Sequence, residues 1–182
     1  WSSDVCSSDL EYESGSMQNC KSGLMLTLGT GIGGGIIING EIYSGFNGVG
    51  SELGHTVIGE NFYDCNCGRN GCLETFASST AIIKYAKKLI MEMNEPTTIL
   101  ENVEGNINNL NAKIIFDCAK KGDKIATLAV NRLIKYLGIG IINIVNFIDP
   151  EIIVLGGGIA GAGQYLLDLI TKEVMANKYY EE

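Results

Sequence analysis

Apolar positions set out a strand-rich first third and a helical remainder. Leu24-Met-Leu-Thr-Leu28 is a short, nearly continuous apolar run and predicts a buried strand. Gly29-Thr-Gly-Ile-Gly-Gly-Gly35 then reads as a loop, and Ile36–Ile38, Asn39-Gly40 and Glu41–Tyr43 as a β-hairpin closed by the favoured Asn-Gly turn. Residues 44–75 carry many glycines and neither period. A loop of that length is out of place in a compact domain unless it is functional or cross-linked. Beyond it, Ser79 or Thr80 is positioned to cap a helix whose apolar residues Ile82, Ile83, Ala86, Leu89, Ile90 and Met93 recur at helical spacing, with Pro96 marking its end. Asn111 begins a short helix through Ile114, Ile115, Cys118 and Ala119, closed by Gly122. From Ile125 to Phe147 a longer helix is apolar nearly all round in its second half, which predicts burial. Asp149-Pro150 breaks it, Glu151–Leu155 reads as a strand, Gly156–Gly158 as a turn, and Gln164–Met175 as a further helix. Residues 1–10 fit neither period and hold the near repeat Ser-Ser-Asp-Val/Leu. They read as a non-native or disordered tail, set apart from residues 11–182.

Composition adds limits. The 182 residues suit one domain, or one and part of another, and 46% hydrophobic content is enough for a sizeable core. A net charge of −8 argues against nucleic acid as a direct partner of this segment. No uninterrupted apolar stretch reaches the ~18 residues of a membrane span, and the first residues lack the basic and apolar regions of a signal peptide. The six cysteines fall at a spacing that favours metal over disulfides, so a reducing cytoplasm is the expected location. Cys6, Cys20 and Cys118 are left as free thiols.

The sharpest chemistry lies inside the long loop. His55-x9-Cys65-x-Cys67-x4-Cys72 places three thiolates and an imidazole within 18 residues, a common closed set for tetrahedral, structural Zn²⁺. Gly68 and Gly71 sit where the chain must fold back for both flanking sulfurs to reach one ion. Two glycine clusters, Gly29/Gly31/Gly34 and Gly156/Gly158/Gly161, have the spacing of a dinucleotide fingerprint. The first runs from strand into hairpin, however, where the fingerprint requires a helix. Both offer unobstructed backbone N–H groups suited to phosphate, and Thr30 adds a hydroxyl. Glu52, His55 and Glu74 flank the cysteines, and carboxylates held there suit hydrogen bonding to sugar hydroxyls. The alternative for Glu52 and Glu74 is a solvated loop charge.

Taken in order, Leu26-Thr-Leu-Gly-Thr-Gly-Ile-Gly-Gly-Gly35, Gly50-Ser-Glu-Leu-Gly-His55, Cys65-x-Cys-Gly-x-x-Gly-Cys-Leu-Glu-Thr75 and Asn146-Phe-Ile-Asp-Pro-Glu-Ile-Ile-Val-Leu-Gly-Gly-Gly158 resemble the ROK family of repressors and sugar kinases, its glucokinases most closely. The resemblance spans about residues 11–180. It implies an α/β, actin-like, ribonuclease-H-like ATPase fold, here mainly its C-terminal domain, and transfer of the ATP γ-phosphate to a hexose hydroxyl with Mg²⁺. By position it implies that Gly29, Thr30 and Gly31 belong to a phosphate loop, that Glu52, His55 and Glu74 contact the sugar, and that Gly156, Gly157 and Gly158 lie against adenosine. His55, Cys65, Cys67 and Cys72 would hold a structural zinc, and the family implies a homodimer. The family's Asp-x-Gly-Gly-Thr loop and the Asn-Asp-Ala-Asn-like segment bearing its general base have no match among these residues, and Asp4 and Asp9 lack the surrounding pattern. The expectation is therefore a fragment that is inactive by itself. The alternatives are a sugar-responsive repressor, which would reach DNA through a helix-turn-helix outside this segment, and an N-acetylglucosamine or N-acetylmannosamine kinase.

Overall fold

The computed structural model describes residues 15–179; the tail assigned to residues 1–10 lies outside the described residues. Four strands, β1 (Ser22–Leu28), β2 (Ile32–Ile38), β3 (Glu41–Ile42) and β4 (Ile152–Gly156), form one sheet in the order β3-β2-β1-β4. β1 pairs antiparallel with β2 and parallel with β4, in a register that sets Thr27 against Gly33 on one side and Gly156 on the other. The β2–β3 hairpin turns at Asn39 (φ 55°) and Gly40 (φ 75°), both left-handed as a type I′ turn requires.

The glycine run differs from expectation. Only Gly29–Gly31 form the loop, and Gly33, Gly34 and Gly35 are strand residues paired with β1. Glycine is a poor strand former, but here the space is already taken. A Cβ on Gly34 would lie 2.5 Å from the Ser51 carbonyl oxygen, because the following loop packs flat on the strand.

The helical layer begins with the single turn α1 (Glu74–Ala77), breaks at Ser78 in extended backbone, and resumes as α2 (Ser79–Met93). Ser78 caps α2, accepting the Ala81 N–H at 3.1 Å, in place of the expected Ser79 or Thr80. Ser79 is occupied elsewhere: its N–H and hydroxyl both donate to the Gly29 carbonyl, at 2.8 and 2.7 Å. α2 ends at Asn94 in the left-handed region. Then come α3 (Thr98–Asn102), too short to show a period in sequence, α4 (Ala112–Lys120), α5 (Lys124–Ile148) and α6 (Gln164–Asn177).

α5 is long and apolar enough to cross a membrane by composition alone. Its stripe of Ala129, Val130, Leu133, Leu137 and Ile141 is instead buried in the main core, with Leu24, Leu26 and Leu28 of β1 and Leu73 beneath the metal loop. The opposite face of the sheet carries a smaller cluster of Met17, Cys20, Met25 and Ile37. Alternate residues of β1 thus serve two cores, which explains its nearly continuous apolar sequence.

Candidate metal centre and adjoining cavity

The ligands expected of a metal converge. A short 3-10 turn, Leu53–His55, presents the imidazole, and the Cys65–Cys72 loop presents the sulfurs. The ligand atoms of His55, Cys65, Cys67 and Cys72 all lie within 4.8 Å of one another. Cys65 Sγ is 3.6 Å from His55 Nδ1, and Cys67 Sγ is 3.6 Å from Cys72 Sγ. A tetrahedral ion ~2.3 Å from each sulfur would set such atoms about 3.8 Å apart, close to the two 3.6 Å pairs, so the donor set suits zinc.

The loop is shaped for this. Gly68 and Gly71 adopt φ of 87° and 88°, and a Cβ on Gly71 would fall 1.7 Å from the Gly59 carbonyl oxygen. No other residue fits there. The Arg69 guanidinium donates to the His55 carbonyl at 3.1 Å, tying the cysteine loop to the histidine turn. Hydrogen bonds from the Arg69 backbone and side chain also lower the Cys67 thiol to about 6, in the direction that favours a metal-binding thiolate. Burial, and then a hydrogen bond with Glu74, push the Cys65 thiol up to about 12. Burial likewise raises Cys72.

Glu74 links the metal loop to the first glycine loop. Its Oε1 accepts from Cys65 Sγ at 2.8 Å and lies 3.9 Å from His55 Nδ1. Its Oε2 occupies the space a side chain on Gly31 would need, 2.6 Å from that Cβ position. Thr30, Gly31, Tyr63, Glu74, Ser78 and Lys84 are among the walls of a cavity of about 340 Å³. Glu52, exposed, precedes the 3-10 turn, and neither it nor half-buried His55 lines this cavity.

The second glycine cluster lies at the end of the neighbouring strand. Gly156 closes β4, Gly157 turns at φ 83° with its Cβ position 2.7 Å from the Leu28 carbonyl oxygen, and Gly158 opens a 3-10 turn. The two clusters, distant in sequence, therefore sit side by side at the carboxyl ends of adjacent parallel strands. Open α/β sheets bind ligands at that edge.

Sequence reasoning did not find Asn61 or Arg132. Asn61 Nδ2 donates to the Thr75 carbonyl at 2.7 Å, and Arg132 of α5 donates to Asn61 Oδ1 at 2.8 Å. In sequence Asn61 is one of several polar residues of the long loop. No pattern in the sequence set Arg132 apart from Lys124 and Lys135 of the same helix.

A mixed sheet with glycine loops at its parallel strand ends, a zinc-type ligand cluster and a polar cavity fit a domain of the actin-like ATPase and sugar-kinase fold, that of the solved structures it resembles. The ROK family profile matches residues 2–181, and the chain belongs to that family. It is 42% identical over 167 residues to a glucokinase of Halalkalibacterium halodurans, covering 91% of this chain and 50% of that protein. A xylose repressor of Caldicellulosiruptor bescii is 33% identical over 153 residues, covering 83% and 37%. Among solved structures, a ROK family glucokinase from Streptomyces griseus in complex with glucose and AMPPNP superposes with a TM-score of 0.87 at 30% identity, over 98% of this chain and 59% of that one. The chain thus spans about half the length of the curated relatives it matches.

Proposed function

We propose that the whole protein is an ATP-dependent hexose kinase of the glucokinase kind, which transfers the γ-phosphoryl group to a sugar hydroxyl, O6 of glucose in the first instance. The carrying observation is the approach of Glu74 to Gly31, which sets a carboxylate suited to sugar hydroxyls against backbone suited to phosphate, in one cavity. ATP with Mg²⁺ supplies the phosphoryl group and neutralises part of its charge. Gly29, whose own N–H is taken by the Gly31 carbonyl at 3.0 Å, would shape the loop in which the Thr30 and Gly31 N–H groups and the Thr30 hydroxyl hold the phosphates, and Gly156, Gly157 and Gly158 would give the adenosine a flat bed.

Glu52, His55 and Glu74 would bind the sugar. His55 turns Nδ1 toward the sulfurs. A ligand bond there leaves the proton on Nε2, ready to donate to a hydroxyl. Cys65, once a thiolate, has no proton to donate, which frees both Glu74 oxygens to accept from hydroxyls. Zinc would act structurally by holding this loop. The 182 residues contain no match to the family's general-base segment, so we expect no turnover from them alone. A cytoplasmic homodimer with reduced thiols fits the family pattern.

The test is ADP release by the protein at the full length of its relatives, across glucose, N-acetylglucosamine, N-acetylmannosamine and fructose. Turnover with one sugar names the acceptor. Hexose binding without turnover on any sugar would instead support a sugar-responsive repressor, the reading favoured by the xylose repressor's similarity to this chain.

A further inference from the structure

Arg132 is half-buried in α5 and forms no ion pair among the described residues. Its guanidinium carbon lies 4.5 Å from the ring centre of Tyr85, 4.8 Å from Phe76, 5.2 Å from Tyr136 and 5.7 Å from Phe62. Phe76 and Tyr136 are themselves stacked at 4.0 Å. Burial of a cation without an anion is costly, and here it lowers the pKa of the guanidinium; ring faces offset only part of that cost. An apolar side chain of similar volume would fill the same box without the cost. What it would lack is the hydrogen bond to Asn61.

That bond leads to the sugar pocket in two steps. α1 is a single turn, so its last carbonyls have no helical partners, and Ser79, which would otherwise take up Thr75, donates to Gly29 instead. Two side chains of the metal loop supply the missing donors: Asn61 Nδ2 at 2.7 Å and Tyr63 Oη at 2.8 Å, both to the Thr75 carbonyl. Asn61 is held in turn by Asn70, whose Oδ1 accepts its N–H at 2.8 Å, and by Arg132. Thr75 and Phe76 directly follow Glu74, so the guanidinium grips the backbone beyond the carboxylate twice, through Asn61 and through the Phe76 ring.

We propose that Arg132 is a positioning residue for Glu74: held in its aromatic box and bonded to Asn61, it fixes the Thr75 backbone and hence the aim of the neighbouring carboxylate into the cavity. A planar, forked cation is needed because one group must lie flat against rings and donate at its edge, which a lysine ammonium does less well. The inference rests on the reading of Glu74 as a hexose ligand.

The test uses the full-length protein and its Arg132→Met, Arg132→Lys, Asn61→Ala and Arg132→Met/Asn61→Ala variants, with steady-state kinetics for hexose and ATP. Arg132→Met and Asn61→Ala should each raise the hexose KM about tenfold or more, while kcat and the ATP KM stay within about twofold. The double variant should be no worse than either single one, and Arg132→Lys should recover part of the loss. An unchanged hexose KM, an equal fall in every parameter, or additive losses in the double variant would overturn the proposal. Should Arg132→Met lose its melting transition, Asn61→Ala decides alone, since it leaves the box intact. If the wild-type protein transfers no phosphoryl group, the kinase reading fails instead, and calorimetric hexose affinities of the same variants carry the positioning test.

Discussion

Cys67 is the most exposed of the four candidate ligands and the one whose thiol is already held down to about 6 by the Arg69 hydrogen bonds. Its substitution therefore tests metal binding with little disturbance to the core. Cys67→Ser should reduce bound zinc from one equivalent to well below it, measured by elemental analysis of the purified protein, and full occupancy would refute the ligand set. Gly71 presents the opposite case, buried and without room. Gly71→Ala combines a strained φ of 88° with a Cβ 1.7 Å from a carbonyl oxygen. The backbone strain alone is worth about 1–3 kcal/mol, and the collision adds to it. Thermal melting should show a clear loss of stability, and a melting temperature equal to wild type would mean that the loop relaxes at no cost.

Among elements, the helices were legible wherever a cap and a period coincided. Asn111 accepts the Ile114 N–H at 3.0 Å and heads α4, and the apolar run from Ile125 is indeed buried in α5. α3 was not legible, because five residues hold barely more than one turn and give no period to read. Nor was the strand character of Gly33–Gly35, where Gly34 packs against Ser51 and Leu53 of a loop further along the chain. The element contact with the clearest consequence joins the starts of α3 and α5. Asp123 Oδ1 accepts the Ala126 N–H at 2.9 Å, while Oδ2 accepts the Thr98 N–H at 2.7 Å and the hydroxyls of Thr97 and Thr98. One carboxylate serves two helix N-termini. Burial alone would raise its pKa, but these donors outweigh it and hold Asp123 below the usual carboxylate range. A depressed folded pKa means that its stabilisation is complete above the unfolded value of about 3.9 and is lost as pH falls through the folded value. Asp123→Ala should cost about 2 kcal/mol near neutral pH, read by denaturant unfolding, and the gap from wild type should narrow below pH ~4. A pH-independent gap would assign the loss to packing.

On the scale of the whole molecule, the sheet is what turns two weak glycine patterns into one candidate site. Each pattern was visible in the sequence, as were the candidate metal ligands, but nothing in the sequence placed Gly157 against Leu28. That contact arises because β1 and β4 pair in parallel across more than 120 residues. The same long-range pairing hid Arg132, which meets Asn61 across 71 positions. The arrangement makes a separable expectation for the two halves of the site. Gly157 sits where φ is 83° and its Cβ position is 2.7 Å from the Leu28 carbonyl oxygen, directly before the first glycine loop. Gly157→Ala should therefore shift the first glycine loop against the second and weaken binding of a non-hydrolysable ATP analogue by about tenfold. Hexose affinity and bound zinc should stay near wild type. Calorimetry on the full-length protein with each ligand in turn distinguishes the outcomes. A selective loss of nucleotide supports a bed formed jointly by the two strand ends. Equal loss of sugar and nucleotide would mean that the substitution distorts the sheet itself, and unchanged nucleotide binding would remove Gly156–Gly158 from the site.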